Sequence, residues 1–245
     1  RGGLVYHLPG KEDAMVAENA LHSAQDAVIE AALAHVPFDG WSDATLKAAL
    51  ADSGVDAALA GALFPRGPLD LALAYHRRGD ARMVAALAAM EMQGMRFRDR
   101  VAAAVMARLD LVEDKELVRR GTTFFALPQN AAEGAKAIWG TADAIWTALG
   151  DQSEDANWYS KRATLSAIYS ATVLFWLGDD SEDHAETRAF LDRRIDNLMQ
   201  VEKFKAAFRE NPLGKALLKG PLRVLDHIRA PRRPDDLPGS LKETA

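Results

Sequence analysis

Alanine-rich stretches whose apolar residues return every three or four positions run through most of this chain, and runs of β-branched residues are scarce. Alanine has the highest helix propensity, and that spacing lines apolar side chains along one face of a helix. The expected fold class is therefore all-α. Hydrophobic residues make up 49% of the 245 positions, enough to bury a core, and the 27% of charged residues argues against a chain that is disordered throughout. No cysteine is present, so disulfides and thiolate chemistry are excluded. No apolar run approaches the roughly 20 residues needed to span a bilayer.

The N-terminal third reads as a helix-turn-helix. A first helix is expected over about 19–35, where Val28, Ile29, Ala32 and Leu33 keep helical spacing and Pro37 ends it. After a Gly40-Trp41 turn, Ser42 suits the N-cap of a second helix to about Ala51, with Leu46 and Leu50 inward. Gly54 breaks that helix, and Asp56 caps a short third one that ends near Phe64-Pro65. Helix, turn, short helix, turn, short helix resembles the N-terminal module of TetR-type regulators. The third helix, however, carries no Lys, Arg, Asn or Gln, and from Asp26 to Asp70 seven acids face only Lys47 and Arg66. DNA affinity comes from cations against phosphate, and bases are read by those missing side chains. A retained scaffold without nucleic-acid binding is expected.

Longer helices should come next: one opening over 69–75, one over about 81–92 presenting Met83, Val84, Leu87 and Met90, and one continuing through Val101, Val105 and Leu109. Further helices are expected over 116–127, over about 130–149 with Ile138, Ala142, Ile145 and Leu149 on one face, and over 156–177 behind an Asp155 cap. A last long one, capped by Ser181, runs to about 204 with Leu191, Ile195, Leu198 and Met199 aligned. Two consecutive long helices are what a four-helix dimer interface requires, so a homodimer is expected, with packing of the two within one monomer the alternative.

Charge is unevenly spread. Residues 203–233 hold nine Lys or Arg against Glu210 and Asp226, within a chain of net charge −5. An interrupted helix is expected there, begun at Pro212 and divided at Gly220-Pro221. Its Leu213, Leu217, Leu222, Leu225 and Ile228 alternate with Lys215, Lys219 and Arg223, a composition suited to the headgroup boundary of an anionic membrane. A solvated basic face on a docked helix is the alternative. The expected division is a leader over 1–18, disordered or foreign to the native protein with Met15 a candidate start; a degenerate helix-turn-helix over 19–66; a helical lipid-binding and dimerisation domain over 67–204; a basic amphipathic helix over 205–230; and a disordered tail over 231–245.

Little catalytic chemistry is legible. None of the six histidines has a Glu three residues before it, and no HExxH, phosphate loop or G-x-S-x-G occurs. Asp179, Asp180, Glu182 and Asp183 beside His184 read as solvation and compensation of a helix dipole, with a metal site the alternative. No cofactor, no metal and no enzymatic activity are expected. The informative stretch is 150–176. There Asp155, Trp158, Tyr159 and Arg162 fall on one surface at the start of a helix, either an interface hot spot or core aromatics with paired neighbours. Beyond them Leu165, Ile168, Tyr169, Thr172, Phe175 and Trp176 make a bulky face, which Trp139, Ile145 and Trp146 of the preceding helix extend. That face is either the lining of an apolar pocket or ordinary core.

The segments LPQN at 127–130, NWYSKRATLSAIY at 157–169, DDSEDHAET at 179–187 and FLDRRIDNLM at 190–199 resemble the lipid-binding accessory family of ubiquinone (coenzyme Q) biosynthesis. The GDQS loop at 150–153 and HVPFDGW at 35–41 fit the same family, and the resemblance spans about 24–229. It implies a dimeric TetR-like fold, a lipid site for isoprenoid quinone intermediates or other lipids, and a C-terminal amphipathic helix at the membrane. It also implies a partner, the di-iron demethoxyubiquinone hydroxylase, met by a patch whose residues correspond to Asp155, Trp158, Tyr159 and Arg162. Ser160-Lys161 departs from the Thr-Arg often found there. No mitochondrial leader is visible, which favours a bacterial protein, cytoplasmic and peripheral on the inner membrane; in a eukaryote the matrix face of the mitochondrial inner membrane is implied. A ligand-sensing TetR-type regulator is the competing reading.

Overall fold

The computed structural model describes residues 11–210 and 229–231, and among them every regular element is helical. They form two compact units, one of residues 11–92 with 103–140 and one of 93–102 with 141–210 and 229–231.

The first unit grows from α1 (Lys11–Leu33), whose Val28, Ile29 and Ala32 are buried together with Val36 of the one-turn α2 (Val36–Asp39). Burying each of these Val and Ile side chains contributes about 1.5–3 kcal/mol. Helix α3 (Asp43–Ser53) starts where Ser42 Oγ accepts the Thr45 amide at 3.2 Å, and ends at Gly54, whose φ of 69° suits a residue without Cβ. Thr45 and Ala49 are fully buried; Leu46 and Leu50, expected inward, are half-buried, pack against the same core and line an open cleft of about 550 Å³ with Val55 and Ala57. The buried Thr45 hydroxyl is satisfied by donating to Gly40 O at 2.6 Å.

The third helix of the helix-turn-helix is reduced further than expected. Asp56 accepts the Ala58 amide at 2.9 Å, but it caps only a 3₁₀ turn (Ala57–Leu59) leading into a single α-turn, α4 (Ala60–Leu63). Trp41 closes the unit, donating from Nε1 to Leu117 O at 3.3 Å and packing on Tyr75 at 5.1 Å between ring centroids. The two helices expected over 69–75 and 81–92 are one, α5 (Pro68–Ala89). Its midpoint is Gly79, against which the Arg108 guanidinium of α6 (Phe97–Asp110) rests. Arg108 is buried and donates to Asp80 at 2.8 Å and to His76 O at 3.2 Å. Helix α7 (Lys115–Ala126), capped by Asp114, completes this unit with the first part of α8 (Ala131–Ala148).

In the second unit α8 continues with Ala142, Ile145 and Trp146 buried. Gly150, at φ 80°, turns the chain, and Asp155 caps α9 (Ala156–Trp176) by accepting the Asn157 amide at 2.9 Å, as expected from sequence. Helix α10 (Ala185–Glu210) packs on α9 through Leu191 and Ile195. Ser181, expected as its cap, accepts the Glu186 amide on Oγ at 3.1 Å in the first turn. A 3₁₀ turn (Glu182–His184) intervenes, with Asp183 and His184 at φ 51° and 54°. The buried Asp179 serves that start, accepting the Thr187 amide and hydroxyl and the Ser181 amide and hydroxyl. These four bonds hold its carboxyl well below the usual carboxylate range against the opposing effect of burial. So one member of the acidic cluster is structural, while Asp180, Glu182 and Asp183 are exposed.

Candidate functional site

The polar loop 150–155 and the first turns of α9 build one connected site in the second unit. At its centre is Arg162, a guanidinium only 1% exposed. It donates to Asp143 of α8 at 2.5 Å, to Asp151 at 3.0 Å and to Trp158 O at 3.2 Å. Its flat face lies 4.0 Å from the centroid of the Trp158 ring, close enough for cation–π attraction. Asp151 is the second anchor. Burial raises its pKa, but hydrogen bonds from Lys161 at 2.7 Å, Ser153 at 2.8 Å and Arg162 outweigh that and bring it to about 2. Lys161 also donates to Ser153 Oγ at 2.6 Å, and its carbonyl accepts Trp146 Nε1–H at 3.1 Å.

This network fixes the aromatics that stand on it. Trp158 is half-buried, covered by Arg162 on one face and met edge-on by Tyr159 at 4.8 Å. Tyr159 is 37% exposed. Asp155 is exposed and fully occupied as the helix cap, through Asn157 N and Asn157 Nδ2, both at 2.9 Å. Of the four residues expected to form one surface patch, three reach the surface. Arg162 does not: it lies beneath Trp158 and positions it, because two carboxylates and a carbonyl satisfy the guanidinium from below. Sequence reasoning missed Asp143 and Asp151, which carry the pedestal. Spacing relates residues within one helix, whereas Asp143 and Arg162 meet across two.

The expected lipid lining is interior to the second unit. Ile145, Trp146, Leu165, Ile168, Tyr169, Thr172 and Trp176 are all buried, and half-buried Phe175 stacks on Phe190 at 4.5 Å. Phe97 stacks on Trp146 at 5.6 Å, a contact from α6 that no local pattern signals. Trp139 falls in the first unit, where it is half-buried on α8. The membrane-contact residues Leu213, Lys215, Leu217, Lys219, Leu222, Arg223, Leu225 and Ile228 lie outside the described residues, as do the side chains of Leu198 and Met199 and the expected leader and tail. Among the described residues no three His, Asp or Glu side chains are placed to hold a metal ion, and no helix is long and apolar enough to cross a membrane.

Three kinds of likeness bear on this site. The model of the COQ9 family matches residues 131–202, which contain the whole Arg162 network. Ubiquinone biosynthesis protein COQ9, mitochondrial, of Drosophila melanogaster is 29% identical over 202 residues, covering 79% of this chain and 62% of that protein. The probable counterpart of Dictyostelium discoideum is 29% identical over 192 residues, with coverage of 75% and 62%. The human protein is 27% identical over 207 residues, with coverage of 80% and 63%. The chain thus spans about three-fifths of the length of these curated relatives. Among solved structures, a TetR transcriptional regulator from Nitrosomonas europaea superposes with a TM-score of 0.58 at 22% identity, covering 70% of this chain and 95% of that one. Identity at that level speaks for the fold alone. The chain is similar to the COQ9 proteins of ubiquinone biosynthesis over most of its length, and its helical fold is similar to that of a TetR regulator.

Proposed function

We propose that this protein serves ubiquinone biosynthesis as a non-catalytic accessory that binds an isoprenoid quinone intermediate at the membrane and presents it to a di-iron hydroxylase of the demethoxyubiquinone type. The observation that carries this reading is the Trp158–Tyr159 pair held on a buried Arg162–Asp143–Asp151 pedestal. Aromatics made rigid before contact lose little entropy on binding, which is the property of an interface anchor. The partner surface in this reading is Asp155, Trp158 and Tyr159, with Arg162 as their support. The names of the relatives supply the pathway and a mitochondrial setting.

The need for such an accessory is physical. Each CH₂ withdrawn from hydrocarbon into water costs about 0.8 kcal/mol, so a polyprenyl chain leaves a bilayer only into another apolar interior. The aromatic interior between α8, α9 and α10 supplies apolar walls, and the basic residues after 210 supply attraction to anionic headgroups. The exposed outer face of α9, where Leu174 is 60% accessible, suits a second copy of the chain, and we propose a homodimer. Trp158→Lys should abolish capture of the hydroxylase while leaving the helical content unchanged. Lipid extraction and mass spectrometry of the purified protein should find a prenylated lipid. Retained capture removes Trp158 from the interface, and a lipid-free protein removes the carrier role.

The competing regulator reading rests on the shared fold. Against it stand a recognition element of one 3₁₀ turn plus one α-turn and the absence of any cation or amide side chain over 56–64. Sequence-dependent binding to genomic DNA at low salt would reverse this preference.

A further inference from the structure

Residues 229 and 230, near the end of the basic stretch, meet this same site. The Ala230 amide donates to Glu154 O at 2.8 Å, and the Tyr159 hydroxyl donates to Arg229 O at 3.3 Å. Arg229 C=O and Ala230 N–H belong to one peptide group. In a trans peptide these two atoms point in opposite directions. That peptide is therefore gripped from both sides, by the carbonyl of the 150–155 loop and by the phenol of α9. The local sequence prepares it for this. Pro231 biases Ala230 towards extended backbone and brings no N–H of its own to compete. Ala230 is half-buried, whereas Arg229 and Pro231 are exposed, so the small side chain is the one turned inward.

We propose that the gap between Glu154 O and Tyr159 Oη is a peptide-binding slot, filled in cis by the 229–230 peptide, so that this chain's own tail competes with a partner protein for Tyr159. The competition rests on the hydroxylase reading of the Trp158–Tyr159 pair; the slot itself does not. Recognition is through backbone, as in strand-addition contacts, and admits any extended segment with a small residue ahead of proline. Occupied, the slot withholds the Tyr159 hydroxyl, and the partner gains access only when residues 229–231 lift away.

The test uses the full chain. Hydrogen exchange should show the Ala230 amide protected, and Tyr159→Phe should speed its exchange about fivefold, the effect of one neutral hydrogen bond. An unprotected amide in the unmodified protein overturns the slot. A labelled peptide of residues 225–236 (LDHIRAPRRPDD) should bind the Ala230→Pro chain, whose own donor is gone, at least about fivefold more tightly than the unmodified chain; equal binding overturns occupancy in cis. The hydroxylase should bind Ala230→Pro about fivefold more tightly than the unmodified chain. If Trp158→Lys abolishes hydroxylase binding while Ala230→Pro leaves it unchanged, the competition is wrong. If hydroxylase binding ignores Trp158→Lys as well, the partner reading has failed together with the competition, and the slot stands or falls by the exchange and peptide results.

Discussion

Replacing Arg162 with methionine separates a structural pedestal from a surface cation. The guanidinium loses bonds to Asp143, Asp151 and Trp158 O and its seat on the Trp158 ring, while methionine fills most of the volume. The two carboxylates left behind are not equivalent. The Asp143 side chain is 42% exposed and rehydrates; that of Asp151 is 4% exposed and keeps only Lys161 and Ser153, both on one oxygen. Removing one member of a buried ion pair costs about 3–5 kcal/mol. The relief at Asp143 and the partners retained by Asp151 place the loss at the low end, about 3 kcal/mol. That is a factor of about 100 in the local opening constant. Amide exchange of Leu165 and Tyr169, on the buried face of α9, should accelerate by about that factor. Adding Asp151→Asn should recover part of the loss, because it removes the stranded charge. Acceleration of less than about tenfold would refute the pedestal and return Arg162 to the surface patch.

Acid should open the two units in sequence. Burial holds the His76 imidazole below its ordinary value of 6.5 despite Asp80, so the first unit loses stability as pH falls from about 6.5. Asp151 and Asp179 are depressed from 3.8, so their contributions are complete above about pH 5 and vanish only as pH falls towards 2. Exchange of α1 and α5 amides should therefore rise before that of α9 and α10, and simultaneous onset would contradict the assignment. Gly79→Ala should destabilise α5 by about 1–2 kcal/mol, although alanine at an open helix position gains about 1 kcal/mol over glycine. A Cβ there would stand 2.5 Å from Arg108 Cζ, so a rise in thermal midpoint would show that Arg108 is not packed on that glycine.

Much of the local architecture was legible in advance. Ser42, Asp56 and Asp155 announce helix starts because a short polar side chain satisfies an amide that the helix leaves open, and all three do so. Elsewhere packing adds to or overrides the local signal. Gly79, which weakens a helix in isolation, sits inside α5 because Arg108 needs the space. Ser181 reaches the first turn of α10 as expected, accepting the Glu186 amide, but shares that start with Asp179, whose buried carboxylate takes four donors.

Sequence by itself determined the helical class, the absence of cationic and amide side chains over 56–64 and the segment that carries the Arg162 network, since propensity, charge and capping act within a few residues. Tertiary structure alone decided that Arg162 lies under Trp158 rather than beside it, that Asp143 and Asp151 hold it there, and that the 229–230 peptide meets Tyr159. Those contacts join residues on different elements, and their energies depend on how completely water is removed, which no spacing along a chain records.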